Sequence, residues 1–221
     1  MDWDSIFISF KLAAATTILL LLICLPLAWW LSRDRSIFKT VLEVVFSLPL
    51  VLPPTVIGFY LLVCMNPNSP IGQFWTLFND GNLVFSFSGL VVGSVFYSLP
   101  FVLRPIQNAF ERIDVKWIEM ASTLRYSSKD LFWTIYLPLS KPAILSAAAF
   151  GFAHTLSEFG VVLMLGGNIP GKTRTVSIAI YDAVESANYE QAHQLAFFML
   201  ILSFVILYLI YGLNRKWANP L

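Results

Sequence analysis

KLAAATTILLLLICLPLAWWLSR, residues 11–33, places no charge between Lys11 and Arg33. An α-helix rises 1.5 Å per residue, so about 20 apolar residues cross the roughly 30 Å hydrocarbon core of a bilayer. The stretch is therefore read as a membrane span near 9–32. A secretory leader is the competing reading, but Asp2 and Asp4 stand where a leader carries positive charge. The apolar run also exceeds the ~7–15 residues of a leader's central region. The segment is expected to stay in the mature protein.

The whole chain agrees with that stretch. Of 221 residues, 57% are hydrophobic and 12% charged, and mean hydropathy is +0.73. A soluble domain is about 25% charged, so this chain has too little polar surface to cover a water-facing globule. Its net charge of +1 offers no basic field for a nucleic acid. Charge-free intervals also run from Glu43 to Asp80, from Asp80 to Arg104 and from Glu190 to Arg215. They place further spans near 42–64, 86–109 and 195–214. A span near 140–165 follows Lys141 and carries one acid, Glu158. The expected fold is an all-α integral membrane protein of five transmembrane helices in a single domain, 1–221.

Lysine and arginine set orientation, because they favour the cytoplasmic side. With the N-terminus outside, Arg33, Arg35, Lys39, Arg104, Arg112, Lys116, Arg125, Lys129, Lys141, Arg215 and Lys216 lie inside, and only Lys11, Lys172 and Arg174 lie outside. The C-terminus is then cytoplasmic. Trp29, Trp30, Tyr208, Tyr211 and Trp217 fall near predicted interfaces, where amphipathic rings anchor a span. Cys24 and Cys64 stand in no metal or CxxC spacing and read as free thiols packed as small hydrophobes.

Two connections exceed a simple turn: an inside stretch at 111–139 and an outside stretch at 166–194. The first reads ERIDVKWIEMASTLRYSSKDLFWTIYLPL. Trp117, Ile118, Ala121 and Leu124 recur at helical spacing behind Asp114, a suitable N-cap. Ser127 or Ser128 can cap a second short helix carrying Leu131, Phe132 and Ile135. Pro138 and Pro142 mark its end and the next start. Two short amphipathic helices at a membrane surface read equally as a docking element or as a loop lying on lipid.

The second span reads FSLPLVLPPTVIGFYLLVCM over 46–65. Pro49 and Pro53 lie four apart and Pro54 follows. Each removes an N–H and clashes with the carbonyl four residues back. In lipid an unpaired backbone group costs several kcal/mol, so broken backbone is buried in protein or lines a polar cavity. Pro49, Pro53, Pro54, Thr55 and Gly58 are therefore candidate pathway residues, with a kinked packing helix as the alternative. In the fourth span His154 and Glu158 stand at i,i+4, where side chains meet on a helix. They are expected either to gate the pathway or to brace the helix. Gly89 and Gly93 form GxxxG, which serves a dimer or internal packing.

GGNIPGKT, 166–173, fits the phosphate-loop expression G-x-x-x-x-G-K-[ST]. The physical context is wrong. A phosphate loop needs a strand before it and a helix after it in a soluble α/β domain. Here a span precedes it, Pro170 removes a donor, and the topology places it outside. The following TVSIAIYDAVESA spaces Val176, Ile180 and Val184 at four and predicts a short helix.

Glu119, Ala121, Ile135, Leu137 and Pro138 stand at the spacing of the EAA motif, and the inside stretch resembles that loop of ABC importer permeases. Met120 replaces the motif's first Ala, and Arg125 replaces its Gly, a residue that turns tightly without steric cost. LPLVLPPTVIG, and SEFG at 157–160 followed by NIPGKTRT at 168–175, resemble the molybdate permease subunits of that group. The resemblance implies a type I ABC importer permease fold whose cytoplasmic coupling helix enters a groove of the ATPase subunit. Glu119, Ala121, Ser122, Leu124 and Arg125 would make that contact. It implies a homodimer working by alternating access, with a cytoplasmic ATPase dimer that uses the ATP and an outside oxyanion-binding protein. Lys172 and Arg174 would contact that protein. This chain is expected to bind no cofactor, metal or nucleic acid, and to lie in a bacterial or archaeal plasma membrane.

The expected cargo is molybdate, with tungstate, sulfate or thiosulfate as alternatives. A stand-alone anion channel or secondary transporter would move its ion without ATP and would show inverted repeats, which the sequence lacks. An intramembrane enzyme needs a catalytic constellation at membrane depth, and only His154 and Glu158 offer one.

Overall fold

The computed structural model describes residues 2–34, 36–78 and 81–218, with side chains as far as residue 210. Arg35, Asp80, Arg215, Lys216, Tyr211 and Trp217 therefore lie outside the described residues or side chains. The regular structure described is helical throughout.

Helix α1 (Trp3–Arg33) opens with the Asp2 carboxylate accepting from Ser5 N and closes at Asp34. Helix α2 (Ile37–Ser47) is capped by Ser36, a 3₁₀ turn follows at Leu48–Leu50, and α3 (Pro54–Cys64) starts on a proline. The expected break in the second span is present, and the chain bends by 111° across it. Helix α4 (Pro70–Thr76) is short. Helix α5 (Phe87–Glu111) begins at Ser86, whose hydroxyl accepts from Gly89 N at 3.1 Å. The inside stretch folds as α6 (Val115–Thr123), α7 (Ser128–Leu131), a π turn at Phe132–Tyr136 and α8 (Leu137–Leu139). Helices α9 (Lys141–Leu156) and α10 (Gly160–Gly166) share the fourth apolar segment, α11 (Val176–Glu185) is the predicted short helix, and α12 (Tyr189–Ala218) ends the chain.

Among the described residues, α1, α5 and α12 are long and apolar enough to cross a membrane, and two bent pairs raise the number to as many as five. Packing fixes their directions. Near the starts of α1 and α5, Lys11 Nζ lies 4.6 Å from the Phe87 ring centroid and Leu12 shares a core with Leu90; further along, Leu20, Cys24, Ala28 and Leu31 share a core with Val102, Leu103, Ile106 and Phe110. These two helices are therefore parallel. Helix α9 runs the other way along α5: Ser98 meets His154 and Thr155, while a Cβ on Gly151 would press on Val102. Helix α12 starts beside the start of α1, where Leu195 joins Ile6, Val176 and Ala179. Its Phe197, Leu200, Phe204 and Tyr208 face outward, as a lipid-facing helix requires.

Trp29 does not serve as a simple interfacial anchor. Its ring packs at 5.2 Å on Phe132 and 6.4 Å on Tyr136, tying α1 to the inside stretch. Cys24 is buried, whereas Cys64 is exposed and is no packed core thiol within this chain. The GxxxG pair serves internal packing. Gly89 faces the Leu83 carbonyl, and Gly93 admits the Leu165 side chain of α10.

Overpacking a filled contact costs about 1–3 kcal/mol. Gly93→Leu is therefore expected to lower the thermal midpoint of the detergent-solubilised chain, while Gly212→Ala, inside α12 with nothing within 4 Å, does not lower it. An unchanged midpoint in Gly93→Leu would contradict the α5–α10 contact.

Candidate functional site

The two interrupted helices lie against each other. A Cβ on Gly160 would stand 2.6 Å from Pro54 Cβ, and one on Gly58 would stand 2.8 Å from Met164 Cβ. Helices α3 and α10 therefore run parallel from adjacent starting points, with glycine allowing close approach at both crossings. Pro49 and Gly58 are buried, whereas Pro53 and Thr55 are exposed at the break. The backbone is only partly satisfied there. Val51 N and Leu52 N reach the Leu48 carbonyl, and Val56 N and Ile57 N reach that of Pro53. The carbonyls of Val51 and Leu52 accept no bond among the described residues.

The second break separates the pair expected at i,i+4. Helix α9 ends at Leu156, so Glu158 leaves the face that carries His154. His154 Nδ1 instead lies 2.9 Å from Ser98 Oγ, and its ring stacks on Phe101 at 3.8 Å. Glu158 is 5% exposed, and its main-chain carbonyl accepts from Ser177 Oγ at 2.6 Å. Neither of its carboxylate oxygens finds a hydrogen-bond partner among the described residues. The nearby Ser94 hydroxyl interacts with it, but no hydrogen bond of ordinary geometry joins the two. Local helix periodicity predicted a pair that the tertiary fold takes apart.

The loop GGNIPGKT bends through Gly167 and Gly171, both at positive φ, and no strand precedes it. Thr173 Oγ1 donates to the Gly166 carbonyl at 2.6 Å and Phe85 N to that of Leu165 at 2.8 Å. The loop thus caps the end of α10 rather than cradling a phosphate. Lys172 is exposed beside a hollow of about 460 Å³ lined by Trp75, Asn82, Ser86 and Ser88. Arg174 is engaged: it reaches Asp182 Oδ2 at 2.5 Å and Asp2 Oδ2 at 3.6 Å. It clamps α11 to the start of α1. Val176 N donates to Ser9 Oγ at 2.8 Å and reinforces the clamp.

On the inside stretch, Asp114 caps α6 by accepting from Lys116 N at 3.0 Å. The apolar residues predicted on one face divide. Ala121 is 2% exposed and Ile118 packs beside it in the core. Trp117, Met120 and Leu124 project outward and rim a groove of about 230 Å³ with Tyr126, Thr134, Ile135 and Leu139. Glu119, Ser122 and Arg125 are exposed on the same short helix and its turn. Ser127 and Asp130 form a capping box at α7. The Ser127 hydroxyl and N–H hold the Asp130 carboxyl below the usual carboxylate range, so the box is complete at neutral pH and is lost as acidification protonates Asp130.

Arg125 resolves the departure from the EAA pattern. Its φ is 56°, the left-handed region that favours glycine. Tyr126 N bonds the Ala121 carbonyl at 3.1 Å and Arg125 N that of Ser122 at 3.0 Å, which is a Schellman end. The turn keeps the shape glycine would give it, with a cation displayed at its tip.

One polar set escaped the sequence reading. Lys39, Glu43 and Ser47 of α2 interlock with Arg104, Gln107 and Glu111 of α5. Their spacing of four along α2, and of three and four along α5, was visible, but the charges had served only to bound and orient spans. Among the described residues no three His, Cys, Asp or Glu are grouped to hold a metal.

Long apolar helices, two facing breaks and a short exposed helix at the cation-rich end describe a multi-pass transport component of a membrane. The chain belongs to the family of binding-protein-dependent transport system inner membrane components, whose pattern matches residues 24–220. It is 54% identical to the molybdenum transport system permease protein ModB of Azotobacter vinelandii, over 99% of this chain and 96% of that one. Identity to the ModB of Haemophilus influenzae is 36%, covering 100% and 97%. The sulfate transport system permease protein CysT of Salmonella typhimurium is 32% identical, covering 88% of this chain and 70% of its own length. In fold the chain matches an inward-facing MetNI methionine ABC transporter, with TM-score 0.74, 15% identity, and 98% and 95% of the two chains covered. A bacterial alginate ABC importer gives 0.76 at 14% identity, covering 96% and 78%.

A non-glycine residue in the left-handed region costs about 1 kcal/mol relative to glycine. Arg125→Gly is expected to raise the thermal midpoint, and Arg125→Val, branched at Cβ, to lower it. The opposite order would show that the turn does not hold the left-handed form.

Proposed function

We propose that this chain is the membrane permease subunit of an ATP-driven importer of molybdate. The observation that carries the reading is identity of 54% to a molybdenum permease over nearly the full length of both chains. The sulfate permease relative is more distant, and 30% of its length lies outside the match. Sulfate, thiosulfate and tungstate remain the cargoes to compare. The chain supplies no ATP chemistry; a cytoplasmic ATPase dimer hydrolyses the nucleotide.

Docking falls to α6 and its turn. Trp117, Met120 and Leu124 offer an apolar ridge, Ala121 roots the helix in the core, and Glu119, Ser122 and Arg125 stand around the ridge. Arg125 puts a charge where the partner would otherwise meet glycine. ATP-driven closure of the ATPases moves α6, and the Phe132–Tyr136 turn with Trp29 and Phe110 carries that motion into α1 and α5. The pathway runs along the break at Pro49, Pro53, Pro54, Thr55 and Gly58, closed on its other side by a second copy of this chain. The unpaired Val51 and Leu52 carbonyls support this placement, since they require a cavity or protein rather than lipid. His154 and Glu158 act separately, His154 bracing α9 on α5 and Glu158 lying beside the path. Lys172 meets the outside oxyanion-binding protein, and Arg174 holds the loop that presents it. The N-terminus is outside and the C-terminus cytoplasmic, in a bacterial or archaeal plasma membrane.

Reconstitution into liposomes with the ATPase and binding protein is expected to give ATP-dependent molybdate uptake that excess sulfate competes with weakly. Uptake that persists without the ATPase would exclude an ABC permease. Glu119→Lys is expected to weaken copurification of the ATPase and lower uptake together, leaving the thermal midpoint unchanged. Undisturbed copurification would remove α6 as the docking site.

A further inference from the structure

Helix α2 is attached to the rest of the chain in an unusual way. It buries none of its residues, and Ile37, Phe38, Val41 and Val44 are all more than half exposed. Apolar packing, the chief force between elements of a fold, reaches it at Phe46, half-buried against the core near its end. The rest of its attachment is the polar clasp to α5. Lys39 Nζ lies 2.9 Å from Glu111 Oε1, Arg104 Nη2 donates to Ser47 Oγ at 2.7 Å and to the Glu43 carbonyl at 3.0 Å, and Gln107 Nε2 donates to Glu43 Oε1 at 2.5 Å.

The clasp divides into two halves that are each electrically neutral. Lys39 and Glu43 belong to α2 and lie 3.7 Å apart. Arg104 and Glu111 belong to α5, joined through Gln107, which accepts from Arg104 Nη1 at 3.4 Å and donates to Glu111 Oε1 at 3.0 Å. Separating a buried ion pair is costly because it strands a charge. Parting these halves strands none, and the four ionic side chains, 21–36% exposed, regain water as they part. Behind α2 the chain passes through Val51–Pro53 into α3, which is locked onto α10 at Gly58 and Gly160. A firmly packed arm, a proline break and a polar-fastened arm make a hinged lever.

We propose that α2 is a releasable latch on the cytoplasmic mouth of the pathway, engaged in this structure by Lys39, Glu43 and Ser47 against Arg104, Gln107 and Glu111. Releasing the clasp swings α2 about Val51–Pro53 while α3 stays seated, so the mouth opens without disturbing the α3–α10 pair. This rests on the reading that α2 and α3 border the pathway.

The test uses the full transporter with its ATPase and binding protein in liposomes, in a Cys64→Ser background. Lys39→Cys with Glu111→Cys, joined by a reducible bis-thiosulfonate cross-linker that replaces the length of the two side chains, is expected to abolish molybdate uptake while the ATPase still copurifies, and reductant is expected to restore uptake. Glu43→Gln with Arg104→Gln is expected to raise ATP hydrolysis without binding protein roughly fivefold or more, the lower end of coupling between switch elements. Lys39→Glu and Glu111→Lys singly are expected to do the same, and the double exchange to reverse it, a rescue that a merely structural role would not produce. Equal uptake with and without the cross-link would overturn the latch, as would loosened variants that leave basal hydrolysis unchanged. Thr55→Cys separates this from failure of the pathway reading. If that reading holds, an aqueous thiol reagent modifies it in the unlinked protein whatever the latch does; if it never reacts, the pathway lies elsewhere and the latch falls with it.

Discussion

Every backbone N–H and C=O in hydrocarbon must find a partner within protein or a polar cavity, and the architecture follows from where this chain violates the rule. Unbroken helices satisfy it internally, so α1, α5 and α12 can stand against lipid. The segments around Val51–Pro53 and Ser157–Phe159 cannot. The fold places the arms beyond them, α3 and α10, side by side, with Gly58 and Gly160 letting the backbones approach. The Ser177 hydroxyl answers the Glu158 carbonyl, whereas the Val51 and Leu52 carbonyls stay open. Two irregularities that would each be intolerable alone become one defined surface.

Rigid and movable parts then separate by the kind of force that holds them. Apolar burial secures α1, α5 and α9 along one continuous core, and it reaches the inside stretch through Ala121, Ile135, Tyr136 and Trp29. Displacing α6 therefore displaces residues packed on two long helices. Directional polar bonds secure the ends: Arg174 between Asp2 and Asp182 on one side, the Arg104 and Gln107 clasp on the other. Polar fastenings exchange with water and part in discrete steps, while packed apolar faces move together.

Much of this was legible in the residues. Charge-free intervals located the apolar segments because a charge at membrane depth is expensive. Asp114 and Ser127 announced their helices because a cap depends on neighbours three residues away, and the prolines at 49, 53 and 54 announced a break because the ring forbids the local bond. The His154–Glu158 pair failed for a corresponding reason. Helix periodicity assumes the helix continues, and α9 stops at Leu156 because residues distant in sequence satisfy the interrupted backbone. Trp29 was placed at an interface by its type and is held in a core by its neighbours. Arg125 stands where the motif has glycine, yet the bonds from Tyr126 N and Arg125 N close the turn that glycine would close.

The amino-acid sequence by itself determined that this is a helical membrane protein, which segments are apolar, where the second of them breaks and where the short helix behind Asp114 begins. Those properties are set by composition, spacing and contacts within a few residues. Only the tertiary structure decided that α3 and α10 lie parallel and in contact, that Arg174 is a clamp while Lys172 is presented, and that α2 hangs on a neutral polar clasp. Each of these depends on residues tens of positions apart meeting at ångström distances, and no local pattern encodes which of several similar faces will meet.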